Sequence, residues 1–101
     1  MSLFAYNSRE KGGCFMGVNR KIIGLTVKKL RNERKITQDV LSGLAGIARS
    51  HLAMIENGTK NANFETICKL AAAFDLRPSD LVRLFEETSE ENGVPFYIFD
   101  A

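Results

Sequence analysis

Between residues 21 and 85 the apolar positions fall at helical spacing, in five blocks set apart by polar or glycine-bearing breaks. In the first, Ile23, Val27 and Leu30 stand at i, i+4 and i+7 and predict a helix over 21–34, with Lys28, Lys29, Arg31 and Arg34 mostly off that stripe. The second block is short. Thr37 suits an N-cap, because its hydroxyl accepts a hydrogen bond from an otherwise orphaned N–H of the first turn. Leu41 and Ala45 share one face, and Gly46 suits a left-handed C-terminus, so the spacing predicts a helix over 38–45. Ile47 follows as a buried hinge. A third helix begins at 48 or 49 and stops at Asn57-Gly58, with Leu52 and Ile55 facing inward and Arg49, Ser50, Ala53, Met54 and Asn57 largely opposite. Phe64, Ile67, Leu70, Ala71 and Phe74 recur over 64–74, capped by Asn63 and carrying Glu65 in the first turn, where the helix dipole favours an acid. Asp75-Leu76 breaks that pattern. Pro78 then opens a helix over 78–87 with Leu81, Leu84 and Phe85 inward.

The two ends read differently. Residues 1–19 carry Gly12-Gly13 and Gly17 among polar residues with no period, and are expected to form a flexible arm. Arg9, Lys11, Arg20 and Lys21 would let such an arm touch a DNA minor groove; an uninvolved leader is the simpler expectation. Met16 is a second candidate start beside Met1. Residues 88–93 read as a polar, acidic linker. The last apolar run, 94–99, is rich in strand formers, and its Pro95 admits an edge strand but not a central one. Left bare, such a run invites aggregation, so it must be covered. Two coverings are open: the tail lies over the first and fifth helices of its own subunit, or it pairs with a second subunit. The second is preferred, which makes Val94, Phe96, Tyr97, Ile98 and Phe99 the expected dimerisation residues.

A chain of 101 residues is enough for one domain, here 20–87 with the arm before it and the tail after it. Its net charge of +2 hides an asymmetry: residues 1–60 hold eleven Lys and Arg against four acids, residues 61–101 three against eight. A basic half carrying the short third helix is what a polyanion-binding face needs. No apolar run approaches the roughly 20 residues of a membrane-spanning helix. No segment of 1–17 resembles a secretory leader, so a cytoplasmic protein is expected, with Cys14 and Cys68 as unpaired thiols and no metal or cofactor. His51 stands without the nucleophile and orienting acid that a catalytic histidine needs. No paired carboxylates or phosphate loop appear either, and no catalytic residue is expected.

Thr37-Gln38, Leu41, Ala45-Gly46-Ile47, Leu52, Ile55-Glu56 and Gly58 together resemble the helix-turn-helix of the phage repressor and Cro family, the XRE-type regulators. Leu30-Arg31 and Ile36 before that segment extend the resemblance, as do Asn61, Thr66, Leu70-Ala71 and Leu81 after it, so that it covers roughly residues 24 to 84. The fold it implies is all-α: a five-helix lambda-repressor-like DNA-binding domain, here with a short apolar C-terminal extension. Arg31 matches the family's structural arginine, for which Glu56 is the implied partner. Three positions differ from the family pattern: Ala48 where a capping Ser or Thr is usual, Ser42 where Ala is usual, and Ala62 where Pro is usual. Losing that cap costs ~1 kcal/mol. Ser42 fits if its hydroxyl bonds back along the helix.

The resemblance implies major-groove reading by the N-terminal end of the third helix. Arg49 is the leading base reader, through two hydrogen bonds to guanine O6 and N7, with a phosphate contact as its alternative. Ser50, His51 and Met54 lie beside it; Met54 offers an apolar contact to a thymine methyl or packs on the second helix. Gln38 is implied to bridge a backbone phosphate and the reading helix, or else only to cap. Asn57, Lys60 and Asn61 are expected at phosphates, which position the protein without specifying sequence. The implied protein is a homodimeric regulator of repressor or controller type, bound to double-stranded operator DNA. The alternative is an antitoxin-like module that binds a toxin-like protein through the apolar tail.

Overall fold

The computed structural model describes residues 14–99 of the chain. A short strand, β1 (Phe15–Val18), leads into α1 (Arg20–Glu33), α2 (Gln38–Ala45), α3 (Arg49–Glu56), α4 (Phe64–Ala73), α5 (Pro78–Glu91) and a last strand, β2 (Tyr97–Phe99). Every helix but α3 starts where a side chain accepts from a backbone N–H of its first turn or cap. The Lys21 N–H donates to Asn19 Oδ1 at 3.2 Å, Val40 N–H to Thr37 Oγ1 at 3.2 Å, and Thr66 N–H to Asn63 Oδ1 at 2.8 Å. For α5 the carboxylate three residues on does this work: Asp80 Oδ2 accepts from the Arg77 backbone N–H at 3.2 Å. The Arg77 guanidinium beside it holds the Asp80 carboxyl below the usual range. At the other end of α2, Gly46 takes the left-handed conformation, φ 70°.

One core serves all five helices. Val27 of α1, Leu41 of α2, Leu52 and Ile55 of α3, Leu70 and Phe74 at α4, and Leu81 and Phe85 of α5 are sealed from water. α1 packs on α3 and α5, α2 on α3 and α4, and α4 on α5. α1 lies close on α3: a Cβ on Gly24 would lie 2.3 Å from the Ile55 carbonyl oxygen and 2.6 Å from that of Glu56. Only glycine permits the two backbones to sit so close. Ser42, buried at the α2 side of this core, donates its hydroxyl to the Asp39 carbonyl at 3.0 Å, as its position requires.

Three features depart from expectation. Phe64 belongs by period to the inner face of α4, yet 74% of it is exposed. It is the first residue of the helix, and helical side chains lean toward the N-terminus, so its ring overhangs the start of α4 instead of reaching the core. α5 runs a full turn past residue 87, because Thr88 and Ser89 are not linker residues. They are buried, and their hydroxyls donate to the carbonyls of Leu84 and Glu86 at 2.8 and 2.7 Å, after which the chain turns at Gly93. Last, the expected arm contains β1, antiparallel to β2 in the register Phe15 with Phe99, Gly17 with Ile98 and Val18 with Tyr97, and irregular between Phe15 and Gly17. The basic residues Arg9 and Lys11 lie outside the described residues.

The tail folds back on its own subunit. The Asn19 N–H donates to the Phe96 carbonyl at 2.7 Å, and the Phe96 ring is 5.8 Å from that of Phe85, leaving Phe96 only 4% exposed. Tyr97 Oη donates to Glu86 Oε2 at 3.3 Å; burial first, and that carboxylate second, raise the phenol pKa above its ordinary value. Phe96 is thus spent on its own core, Tyr97 and Phe99 are half-buried, and Val94 and Ile98 stay exposed.

Candidate nucleic-acid interface

α3 presents two unlike sides. Leu52 and Ile55 lock one into the core, while Arg49, Ser50, Met54 and Asn57 are exposed along the other, with His51 and Ala53 half-buried at its borders. Ser50, Met54 and Asn57 stand at one-turn spacing and form a single ridge, with Arg49 beside it at the N-terminal end of the helix. Ala48 precedes this helix and makes no side-chain cap, so the first N–H groups of α3 point outward unsatisfied by any capping oxygen.

The far end of α3 is fixed by charge. Arg31 Nε donates to Glu56 Oε2 at 2.8 Å and Nη2 to Oε1 at 3.0 Å, while Nη1 donates to the Ile36 carbonyl at 3.1 Å. This two-pronged hydrogen bond with Glu56 raises the guanidinium pKa above its usual value, against the opposing effect of burial. The pairing implied by the resemblance is therefore present. Gln38 joins it: its amide donates to Glu56 Oε1 at 3.0 Å, so the residue ties the start of α2 to the end of α3. It does not cap α2, since Thr37 does so. Gln38 lines one shallow cleft with Lys28, Arg31, Ala53, Glu56 and Asn57.

The loop after α3 wraps round the helix end. Thr59 donates its N–H and hydroxyl to Asn57 Oδ1 at 3.0 and 2.6 Å, and the N–H groups of Thr59 and Lys60 reach the Met54 carbonyl at 3.0 and 3.2 Å. Half of the Asn57 amide is therefore spent on the turn, while the side chains of Lys60 and Asn61 stay exposed.

Two residues of this surface were not singled out from sequence. Lys28, one of several helix-1 lysines by sequence, is the one that shares the cleft with Gln38 and Asn57. Asp39, in the first turn of α2, places Oδ1 3.3 Å from Arg49 Nε. Neither has a motif; both become visible only through the crossing of α1 and α2 with α3. Among the described residues no cluster of His, Cys, Asp or Glu could hold a metal ion, and no helix is long and apolar enough to cross a membrane.

Comparison with known proteins places this geometry. The HTH_3 family, described as helix-turn-helix, matches residues 27–81. An uncharacterised HTH-type transcriptional regulator, y4dJ of Sinorhizobium fredii, is 30% identical over 69 residues, which is 68% of this chain and 90% of that protein. The immunity repressor protein of Bacillus phage phi105 is 35% identical over 75 residues, 70% of this chain; the match spans 52% of the repressor's length. The restriction-modification controller protein C.AhdI from Aeromonas hydrophila superposes with a TM-score of 0.59 at 32% identity, over 61% of this chain and 94% of that one. The fold is shared too with the controller C.Esp1396I, solved as a tetramer with its natural 35 base-pair operator, at a TM-score of 0.64 and 16% identity over 68% of this chain and 91% of that one. The chain belongs to the HTH_3 family of helix-turn-helix transcriptional regulators, a family of regulators and not of enzymes.

Proposed function

We propose that this protein is a sequence-specific regulator of repressor or controller type that binds operator DNA as a homodimer and reads the major groove with α3. The observation that carries this reading is the division of α3 into a core-locked side and an exposed side bearing Arg49, Ser50 and Met54, at a helix start that no side chain caps. A helix so mounted fits a groove about 12 Å wide, and its first turn meets base edges. Arg49 and Ser50 read bases, with His51 and Met54 at the flank. Lys60, Asn61 and the free half of the Asn57 amide hold phosphates, and Gln38 steadies the helix from below. The similarity to repressors and controller proteins supports the same assignment.

Two copies related by a two-fold axis would place their reading helices one DNA turn, about 34 Å, apart. The exposed tail residues Val94 and Ile98 are the proposed contact between copies. Selection of bound sequences from random duplex DNA is expected to return a near-palindrome with that spacing, and sedimentation to give a dimer. Failure to enrich any consensus would refute the reading.

A second reading has its own observation: Phe15, Met16, Val94 and Ile98 leave apolar surface around the two-stranded sheet. An antitoxin-like protein would use it to hold a toxin-like partner. Co-purification with a second protein, with no salt-sensitive retention on DNA, would favour that course.

A further inference from the structure

We propose that Asp39 is a positioning residue that sets both the aim and the selectivity of Arg49; the inference rests on the DNA-reading role proposed above. Arg49 opens α3 and Asp39 lies in the first turn of α2, so the ion pair spans the two helices of the motif at 3.3 Å, Nε to Oδ1. Both side chains are mostly in water, 64% and 71% exposed, so the pair does not serve the core.

An unaccompanied arginine can approach guanine in two ways: through Nε with one terminal nitrogen, or end-on through Nη1 and Nη2. Asp39 Oδ1 lies 3.3 Å from Nε without a hydrogen bond between them, so the carboxylate acts as a nearby charge: it draws the Nε edge toward α2 and leaves the end-on fork for guanine. A long, flexible side chain is thereby biased toward one arrangement before the duplex arrives. Pre-ordering of this kind spares rotamer entropy that binding would otherwise cost.

The carboxylate has a second effect. Arg49 alone would be drawn to any phosphate, whatever the sequence. Asp39 cancels much of that charge at short range and adds repulsion toward the backbone. The hydrogen bonds to guanine then decide where the protein stays. Asp39 thus lowers affinity for arbitrary DNA while favouring one base pair, which is a gain in specificity by opposing the wrong complex. The same logic separates this pair from Arg31–Glu56, whose arginine has Nε, Nη1 and Nη2 all committed inside the protein.

The test is a double-mutant cycle of Asp39→Asn and Arg49→Ala, read as binding to the selected site, to that site with its contacted guanine replaced, and to random duplex. Asp39→Asn is expected to lower discrimination at the one guanine by a factor on the order of two. It should also raise affinity for random duplex by a factor on the order of two. In the Arg49→Ala background the same change should leave discrimination unaltered. A merely structural Asp39, steadying α2 through the helix dipole, would instead weaken binding to all three duplexes alike, and that result overturns the proposal. So does an equal loss of discrimination with and without Arg49. If the unaltered protein selects no sequence at all, the DNA-reading assignment fails first and takes this one with it.

Discussion

At the C-terminal end of α3 Glu56 meets Arg31 with side chains only 3% and 13% exposed; at its N-terminal end Arg49 meets Asp39 with 64% and 71% exposed. The chemistry is the same, a guanidinium and a carboxylate. Burial separates the roles. The inner pair has left water and is stable only because its polar atoms are answered, by the two-pronged contact, the Ile36 carbonyl and the Gln38 amide. No buried side-chain polar atom among the described residues lacks a partner. Such a pair fixes the angle between α1, α2 and α3. The outer pair is weak and lies in water, so it biases Arg49 without tying up the end that would meet a base. One end of the helix is anchored so that the other can be aimed.

The largest effect expected from this contrast follows removal of Glu56. Glu56→Ala leaves the mostly buried Arg31 charge and the half-buried Gln38 amide without this acceptor and should cost about 3 kcal/mol in chemical denaturation. Replacing both partners with apolar residues, Arg31→Met with Glu56→Leu, should recover most of that loss. A double variant as unstable as the single one would mean the pair itself, and not the unpaired charge, sets the stability.

Next comes Gly24→Ala. Alanine normally improves a helix interior by about 1 kcal/mol. Here the added Cβ would fall 2.3 Å from the Ile55 carbonyl oxygen and 2.6 Å from that of Glu56, both backbone atoms that cannot swing aside. The sign should reverse, to a loss of about 1–3 kcal/mol, because α1 must lift off α3 where the inner pair closes. A stabilised variant in thermal unfolding would show that the two helices are not held at this distance.

Arg49→Ala should do the opposite of both. We expect folding stability within about 0.5 kcal/mol of the parent, and a loss of about 1–3 kcal/mol on the selected DNA site, with one base preference relaxed. Equal losses on selected and random duplex would reassign Arg49 to phosphate.

The contrast also marks what could be read in advance. α2 could be read at both ends, since Thr37 and Gly46 are local devices whose effect does not depend on the rest of the chain. The inner pair was legible through family resemblance, because two matched positions carried it. Phe64 was not: period gives the angle of a side chain around its helix, not its place along the axis, and at the first residue the axis matters more. Thr88 and Ser89 looked like linker, since polar residues give no sign of being buried until the carbonyls of Leu84 and Glu86 accept their hydroxyls. β1 has four residues and an irregular pairing, and its partner strand lies about eighty residues on, so neither periodicity nor neighbours announce it. Asp39–Arg49 belongs to the same class. No spacing rule joins residues on two helices until their crossing is known.

The smallest effect is the most discriminating. In a folding cycle on Asp39 and Arg49 the two side chains should couple by about 0.2–0.5 kcal/mol at low salt, as exposed pairs do. Asp39→Asn alone should cost a few tenths more, since its charge also faces the positive end of α2, worth roughly 0.3–1 kcal/mol at an exposed site. That extra cost should persist when Arg49 is already alanine, so the cycle separates it from the pair. At 1 M salt the screening length falls to about 3 Å, and the coupling should vanish, while the loss caused by Glu56→Ala should hardly change. If instead the outer coupling exceeded 1 kcal/mol and survived high salt, Arg49 would be anchored as firmly as Arg31. It could then meet DNA only by giving up folding energy, and the division of labour between the two ends of α3 would not hold.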